Sequence, residues 1–162
     1  MGRARRRQRD GGGLWRLRLD DVNDPEAGGE LTLLLDGSEA IGLNKPDNMA
    51  IDEEGNLLLQ EDPGGNDHVA RVLAYRLSRG VITTLASFDP EQFKPGGSRF
   101  ITNDEESSGI IDAGEFLGED SYLFDAQVHK KVADPDVVEQ GQLLKLKVDD
   151  WAAAYESGQP TG

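Results

Sequence analysis

The run Leu57-Leu58-Leu59 does most to limit how this chain can fold. Side chains alternate along a strand, so three consecutive leucines put apolar groups on both faces. Such a strand needs cover on both sides. The run belongs to a hairpin, Lys45 to Asp62, with an acidic turn and Gly55 at its tip. In its first strand Met49 and Ile51 point one way, and Asn48, Ala50 and Asp52 the other. The second strand ends in Glu61 and Asp62, and Pro63-Gly64-Gly65 cannot continue it. A carboxylate at the exit of a buried strand is costly unless it meets water, a partner or a cation. Glu61 is therefore expected to be a partly buried cation ligand. Glu53-Glu54 reads as solvated turn.

The rest of the chain repeats this grammar. Trp15, Leu17 and Leu19 alternate with Arg16 and Arg18, the mark of a half-exposed strand. Leu31, Leu33 and Leu35 form a second strand that stops at Asp36-Gly37. Residues 69–77 and 81–88 read as two strands around the turn Ser78-Arg79-Gly80. Residues 48–88 thus hold four consecutive antiparallel strands, the content of one β-propeller blade. A helical turn is expected at Pro90–Phe93. Ile110-Ile111-Asp112 echoes Ile51-Asp52, and Leu123-Phe124-Asp125 echoes Leu59-Gln60-Glu61. Residues 142–148 give a further strand. Asp134 to Gln140 reads as a short helix with Asp134 as N-cap and Pro135 at its first position, and Asp149-Asp150-Trp151 to Tyr155 starts a second short helix.

The expected fold is all-β: a partial β-propeller of about two to two and a half four-stranded antiparallel blades, with short helical turns. Residues 1–13 form a disordered basic leader, 14–151 the partial propeller and 152–162 a frayed tail. Propellers close with roughly four to eight blades. The chain is therefore expected to be the carboxyl-terminal part of a larger ring, or to assemble with copies of itself. A β-sandwich of the same strands fits the hairpin spacing less well.

Composition narrows the partners. A net charge of −14 speaks against nucleic acid. No stretch is long enough to span a membrane. With no cysteine there is neither a disulfide framework nor a thiolate metal site. The arginine-rich start lacks the apolar core of an export signal. Serine nucleophile elbows, phosphate loops and redox motifs are absent. What remains is carboxylate: Asp47-Asn48, Glu61-Asp62, Asp104-Glu105-Glu106, and Asp125 with Gln127 and His129. Oxygen ligands in that number suit Ca²⁺, Mg²⁺ or Mn²⁺, and a histidine among them also permits Fe or Zn. His129 reads as a strand-end surface residue beside Lys130-Lys131, and His68 as a loop residue.

Several of these segments resemble the PhoX-type alkaline phosphatases, in the order that family has them. Lys45-Pro46-Asp47-Asn48 with Gly55-Asn56-Leu57 looks like its P-D-N/G-L…D-x-x-G-x-L hairpin. Gln60-Glu61-Asp62 resembles its C-E-D-G strand end, with Gln60 where cysteine often stands. Glu106-Ser107-Ser108-Gly109 is similar to S-E-F-A-G. Asp125-Ala126-Gln127 is similar to N-I-Q, with His129 one residue farther on than the family's histidine. The resemblance spans roughly residues 14–148. It implies a six-bladed, usually exported phosphomonoesterase with a calcium and iron cluster at the channel. By it, Glu61 and Glu106 are metal ligands, with Asp47, Asp62 and Asp125 further candidates and a phosphate ester as substrate. The family's amino-terminal blades, its iron-binding cysteine and its phosphate-gripping arginines have no identifiable counterpart. The chain would then supply part of the site. Two other readings share the pattern: a non-catalytic propeller-like binding module, and a lactonase-like propeller with one divalent cation.

Overall fold

The computed structural model describes residues 11–62 and 68–161. The chain is mostly β, and its sheets are antiparallel. Strands β1 (Leu14–Leu19) and β2 (Gly29–Leu35) form a hairpin. Strands β3 (Pro46–Ile51), β4 (Asn56–Glu61), β5 (Arg71–Arg76) and β6 (Val81–Ser87) follow as a meander. A short helix, α1 (Pro90–Phe93), leads to β7 (Glu105–Asp112), helix α2 (Gly114–Leu117), β8 (Ser121–Val128) and β9 (Gln140–Lys147). Helix α3 (Trp151–Glu156) and the two-residue strand β10 (Gln159–Pro160) close the chain. The middle sheet has the order β10-β6-β5-β4-β3, and the third sheet β7-β8-β9.

The leucine run explains the layering. Leu57 and Leu59 share one face of β4 with Leu73, Tyr75 and Ile82, and pack on Leu14, Leu35 and Leu43 from the first hairpin and its following segment. Leu58 points the other way, with Val72, against Ile110, Tyr122, Phe124 and Val148 of the third sheet. Both faces of β4 are covered, and every residue of that strand is buried. Full burial of one leucine contributes about 2–3 kcal/mol. The middle sheet is thus the centre of the molecule.

Local chemistry fixes the connections. In the β3–β4 turn, Asp52 Oδ1 accepts from the Asn56 backbone N–H at 2.8 Å, and Oδ2 from Asn56 Nδ2 at 2.6 Å. Gly55 there has φ of 80°, which favours glycine. Asp89 caps α1 and Asp150 caps α3 through their side chains.

Two expectations change. Residues 152–161 are packed rather than frayed: Tyr155 of α3 is buried, and β10 pairs with β6. The segment 134–140 forms no helix. Asp134 accepts from the Asp136 N–H in a turn instead, and Val137 and Val138 stay exposed, with no face to dock. Glu105 and Glu106, for which the sequence leaves solvated loop and ligand equally open, are the first residues of β7. The basic leader falls largely on residues 1–10, outside the described residues, while the Gly11 carbonyl accepts from the Lys45 N–H. The loop expected at 63–67 also lies outside them. Among the described residues no helix is long and apolar enough to cross a membrane.

Candidate functional site

The hairpins β3–β4 and β7–β8 lie side by side, and acidic residues gather at both of their ends. At the first end, Glu61 is fully buried. Its partner is Arg71, opposite it on the same face of β5. Arg71 Nε donates to Oε2 at 2.7 Å and Nη2 to Oε1 at 2.6 Å, a bidentate fork. The same guanidinium donates to the carbonyls of Ile41 at 3.0 Å and Gly42 at 2.7 Å. The Asn44 N–H adds a bond to Glu61 at 3.1 Å, and His68 Nε2 lies 3.2 Å from Oε2. Both carboxylate oxygens are therefore engaged by protein, and the cation that Glu61 meets is a guanidinium.

The outward face of β7 and β8 carries Glu106 and Ser108 opposite Gln127 and Asp125. Burial raises the Glu106 pKa. The neighbouring Asp62 charge raises it further, while the hydrogen bond to His129 works against both. His129 lies between two carboxylates, with Nε2 3.4 Å from Glu106 and Nδ1 2.6 Å from Glu139. The Glu139 contact is the main cause that raises the His129 pKa. Asn48 Nδ2 donates to the Asp47 carboxylate and, at 3.1 Å, to Ser108 Oγ. Asp125 Oδ1 is buried without a hydrogen-bond partner among the described residues. Glu106, Asp62, Asp47 and Asp125 thus belong to one end of the paired hairpins, and Glu61 turns away to Arg71. Among the described residues these five form no group of three whose ligand atoms lie within 4.8 Å of one another.

The second end does form such a group. One carboxylate oxygen each from Asp52, Glu54 and Asp120 lie within 4.8 Å of one another. Asp52 and Glu54 come from the β3–β4 turn, and Asp120 from the turn before β8. Asp52 is the most enclosed of the three and Glu54 the most exposed. The geometry is held from outside the group. The Tyr122 hydroxyl donates to Asp52 Oδ2 at 2.8 Å, and Trp151 Nε1 to Asp120 Oδ1 at 2.8 Å. Burial and then the Asp52 contact raise the Tyr122 pKa far above its ordinary range, so the hydroxyl stays a donor. The group opens into a cleft of about 710 Å³ also lined by Glu53, Asp112, Glu115 and Glu119. Seven carboxylates line it with no lysine, arginine or histidine among the lining residues. Lys145 and Lys147 reach the loop's backbone instead, on the carbonyls of Leu117 at 3.1 Å and Glu119 at 3.2 Å.

An all-carboxylate group of this size can hold a metal ion. The donors are hard oxygens, which suit Ca²⁺, Mg²⁺ or Mn²⁺. It contains no histidine or cysteine, so it does not fit iron as a sulfur or nitrogen site would. Sequence reasoning missed this group. The acidic turn was visible, but Glu54 reads as a solvated residue until Asp120 is brought to it across two sheets. The chain matches no family model, no curated protein and no solved structure, so the geometry and the motif resemblance carry the functional reading.

Proposed function

We propose that this chain is a section of a β-propeller of the PhoX-like, metal-dependent phosphomonoesterase kind, and that it holds one divalent cation, calcium first, between Asp52, Glu54 and Asp120. The observation that carries the cation is the meeting of three carboxylate oxygens within 4.8 Å in a cleft whose lining has no basic side chain. Like charges so close favour any arrangement that brings in a cation.

Three features support the propeller. The sheets pack face to face, as blades do. The edge strands of two successive sheets, β3 and β7, run against each other, joined by the Asn48–Ser108 bond. The first hairpin exposes Trp15 paired with Leu33 and Leu17 paired with Leu31, the kind of apolar face that a further blade covers. In this reading Glu106 and Asp62, with Asp47 and Asp125 beside them, are the part of a catalytic metal site that this section contributes. Residues from other blades complete it, including any softer donor that iron needs and the cationic groups that grip a phosphate ester. Glu61 positions the strand end through Arg71.

Calorimetric titration of the chain with Ca²⁺ tests the cation. One saturable site is expected, and the double variant Glu54→Gln with Asp120→Asn abolishes it. A titration without heat above dilution sinks the site. The phosphoesterase reading is tested separately, on a protein carrying the further blades. Glu106→Gln there abolishes hydrolysis of a phosphate ester, whereas hydrolysis of a lactone in its place favours the lactonase-like alternative.

A further inference from the structure

Strand β9 is an outer edge of the third sheet, and among the described residues it pairs with β8 alone. The outward row of backbone N–H and C=O groups on such a strand is a template for another strand. Folded proteins blunt their edges, and the other sheet edges here show how. β10 has two residues and ends at Pro160, and β3 starts at Pro46 and slips register before Met49. β7 slips between Ser108 and Ile111, and the β1–β2 ladder between Leu14 and Trp15. β9 has none of these devices. It runs from Gln140 to Lys147 without proline and in unbroken register with β8. Its lysines do not guard the edge either. Lys145 and Lys147 reach back to the carbonyls of Leu117 and Glu119, in the connection between β7 and β8. Leu143, beside them, is 77% exposed.

The residues along this edge decide which strand fits it. Lay β9 antiparallel on β9 of a second copy, with the two-fold axis at Leu143. Leu143 then faces its own copy, Gln142 faces Leu144, Gly141 faces Lys145, and Glu139 faces Lys147 on both sides of the axis. Directly opposed residues share a face of the sheet, so the exposed leucine gains an apolar neighbour and the charges that meet are of opposite sign. Moving the axis two residues, to Lys145, sets that lysine against its own copy. Charge therefore selects the register centred on Leu143. A contact of this kind is self-complementary and closes at two copies.

We propose that β9 is a dimerisation edge: it pairs antiparallel with β9 of a second copy about a two-fold axis at Leu143, joining two three-stranded sheets into one. The proposal stands independently of the cation and propeller readings. Sedimentation of the full chain over a range of concentrations is expected to move from the mass of one copy to that of two and to stop there. The chain has no cysteine, so Leu143→Cys is a specific probe. Opposed residues of an antiparallel pair lie about 4.5–5.5 Å apart at Cα, within reach of a disulfide. Oxidation should therefore cross-link Leu143→Cys into dimers and leave Lys145→Cys, which faces Gly141, largely single. Glu139→Lys and Lys147→Glu should each weaken association about fivefold, the weight of two opposed charge pairs, and the double variant should restore it. A thermal melt confirms that each variant is folded. A chain that keeps the mass of one copy, that grows beyond two, or that cross-links as well through Lys145→Cys as through Leu143→Cys overturns the proposal. So does a double charge reversal that restores nothing.

Discussion

The two ends of the paired hairpins are built from the same kind of residue and treat it in opposite ways. At the first end the protein supplies the positive charge itself: Glu61 lies in the fork of Arg71, and Glu106 and Glu139 lie on either side of His129. At the second end seven carboxylates line a cleft with no basic side chain among its lining residues, and three of them bring one oxygen each within 4.8 Å of the others. The difference teaches where to look for a ligand. A carboxylate with both oxygens in a guanidinium fork, as Glu61 has, is a structural part. One that folding has fixed in place without a basic partner can take a cation from solution.

The comparison breaks most visibly at Arg71. Arg71→Met leaves Glu61 buried and uncompensated, and the expected loss is about 3–5 kcal/mol in a denaturant titration. Adding Glu61→Leu should restore most of it, because the pair then disappears together. If Arg71→Met unfolds at the wild-type midpoint, the first end is not self-compensated.

At the second end the proposed cation would bring stabilisation from solution. Saturating Ca²⁺ should raise the unfolding free energy by about 2.7 kcal/mol at one hundred times its dissociation constant. Asp120→Asn should abolish that gain in a thermal melt while leaving the calcium-free melting point nearly unchanged. Asparagine tolerates the positive φ of 57° at this position and keeps an oxygen for Trp151.

Tyr122→Phe sharpens the contrast on a smaller scale. It removes the donor that holds Asp52, at an expected cost of about 2 kcal/mol or less for a hydrogen bond to a charged group. Calcium affinity should fall as well, since Asp52 is no longer held in place. Calorimetry on the folded variant reads this directly.

The smallest effect is in pH dependence at the first end. Glu106 and His129 both bind protons more tightly folded than unfolded, so each stabilises below its unfolded pKa and loses that contribution as pH rises. The windows begin above the ordinary values, 4.5 for Glu106 and 6.5 for His129. Glu139→Gln should flatten the decline above pH 6.5, because the Glu139 contact is the main cause of the histidine shift. Comparing urea midpoints of the two proteins across pH 6 to 8 separates this from the rest of the acidic surface.

How much of this was legible in the sequence follows the reach of each signal. The order of strands 14–88 could be read because alternation and turn residues are local, and so could helices α1 and α3. The triple leucine announced a strand covered on both faces, and it is. The start of β7 was lost because Glu105-Glu106 looks like loop, and only the Ala70 N–H, from another sheet, explains a buried glutamate there. The tail was lost for a similar reason: Tyr155 bonds Asn56 from 99 positions away. The acidic pattern drew attention to the strand-end carboxylates. It could not say which of them folding pairs with arginine, because Arg71 and Glu61 meet only through sheet register. Nor could it bring Asp120 to Asp52 and Glu54.

Terbium luminescence tests the central claim most directly, because Trp151 bonds Asp120 and can sensitise an ion held beside it. The account predicts saturable, calcium-displaceable emission from the wild-type chain. Emission should disappear in Glu54→Gln with Asp120→Asn and persist in Glu106→Gln. Emission that survives the first change and vanishes with the second would contradict it.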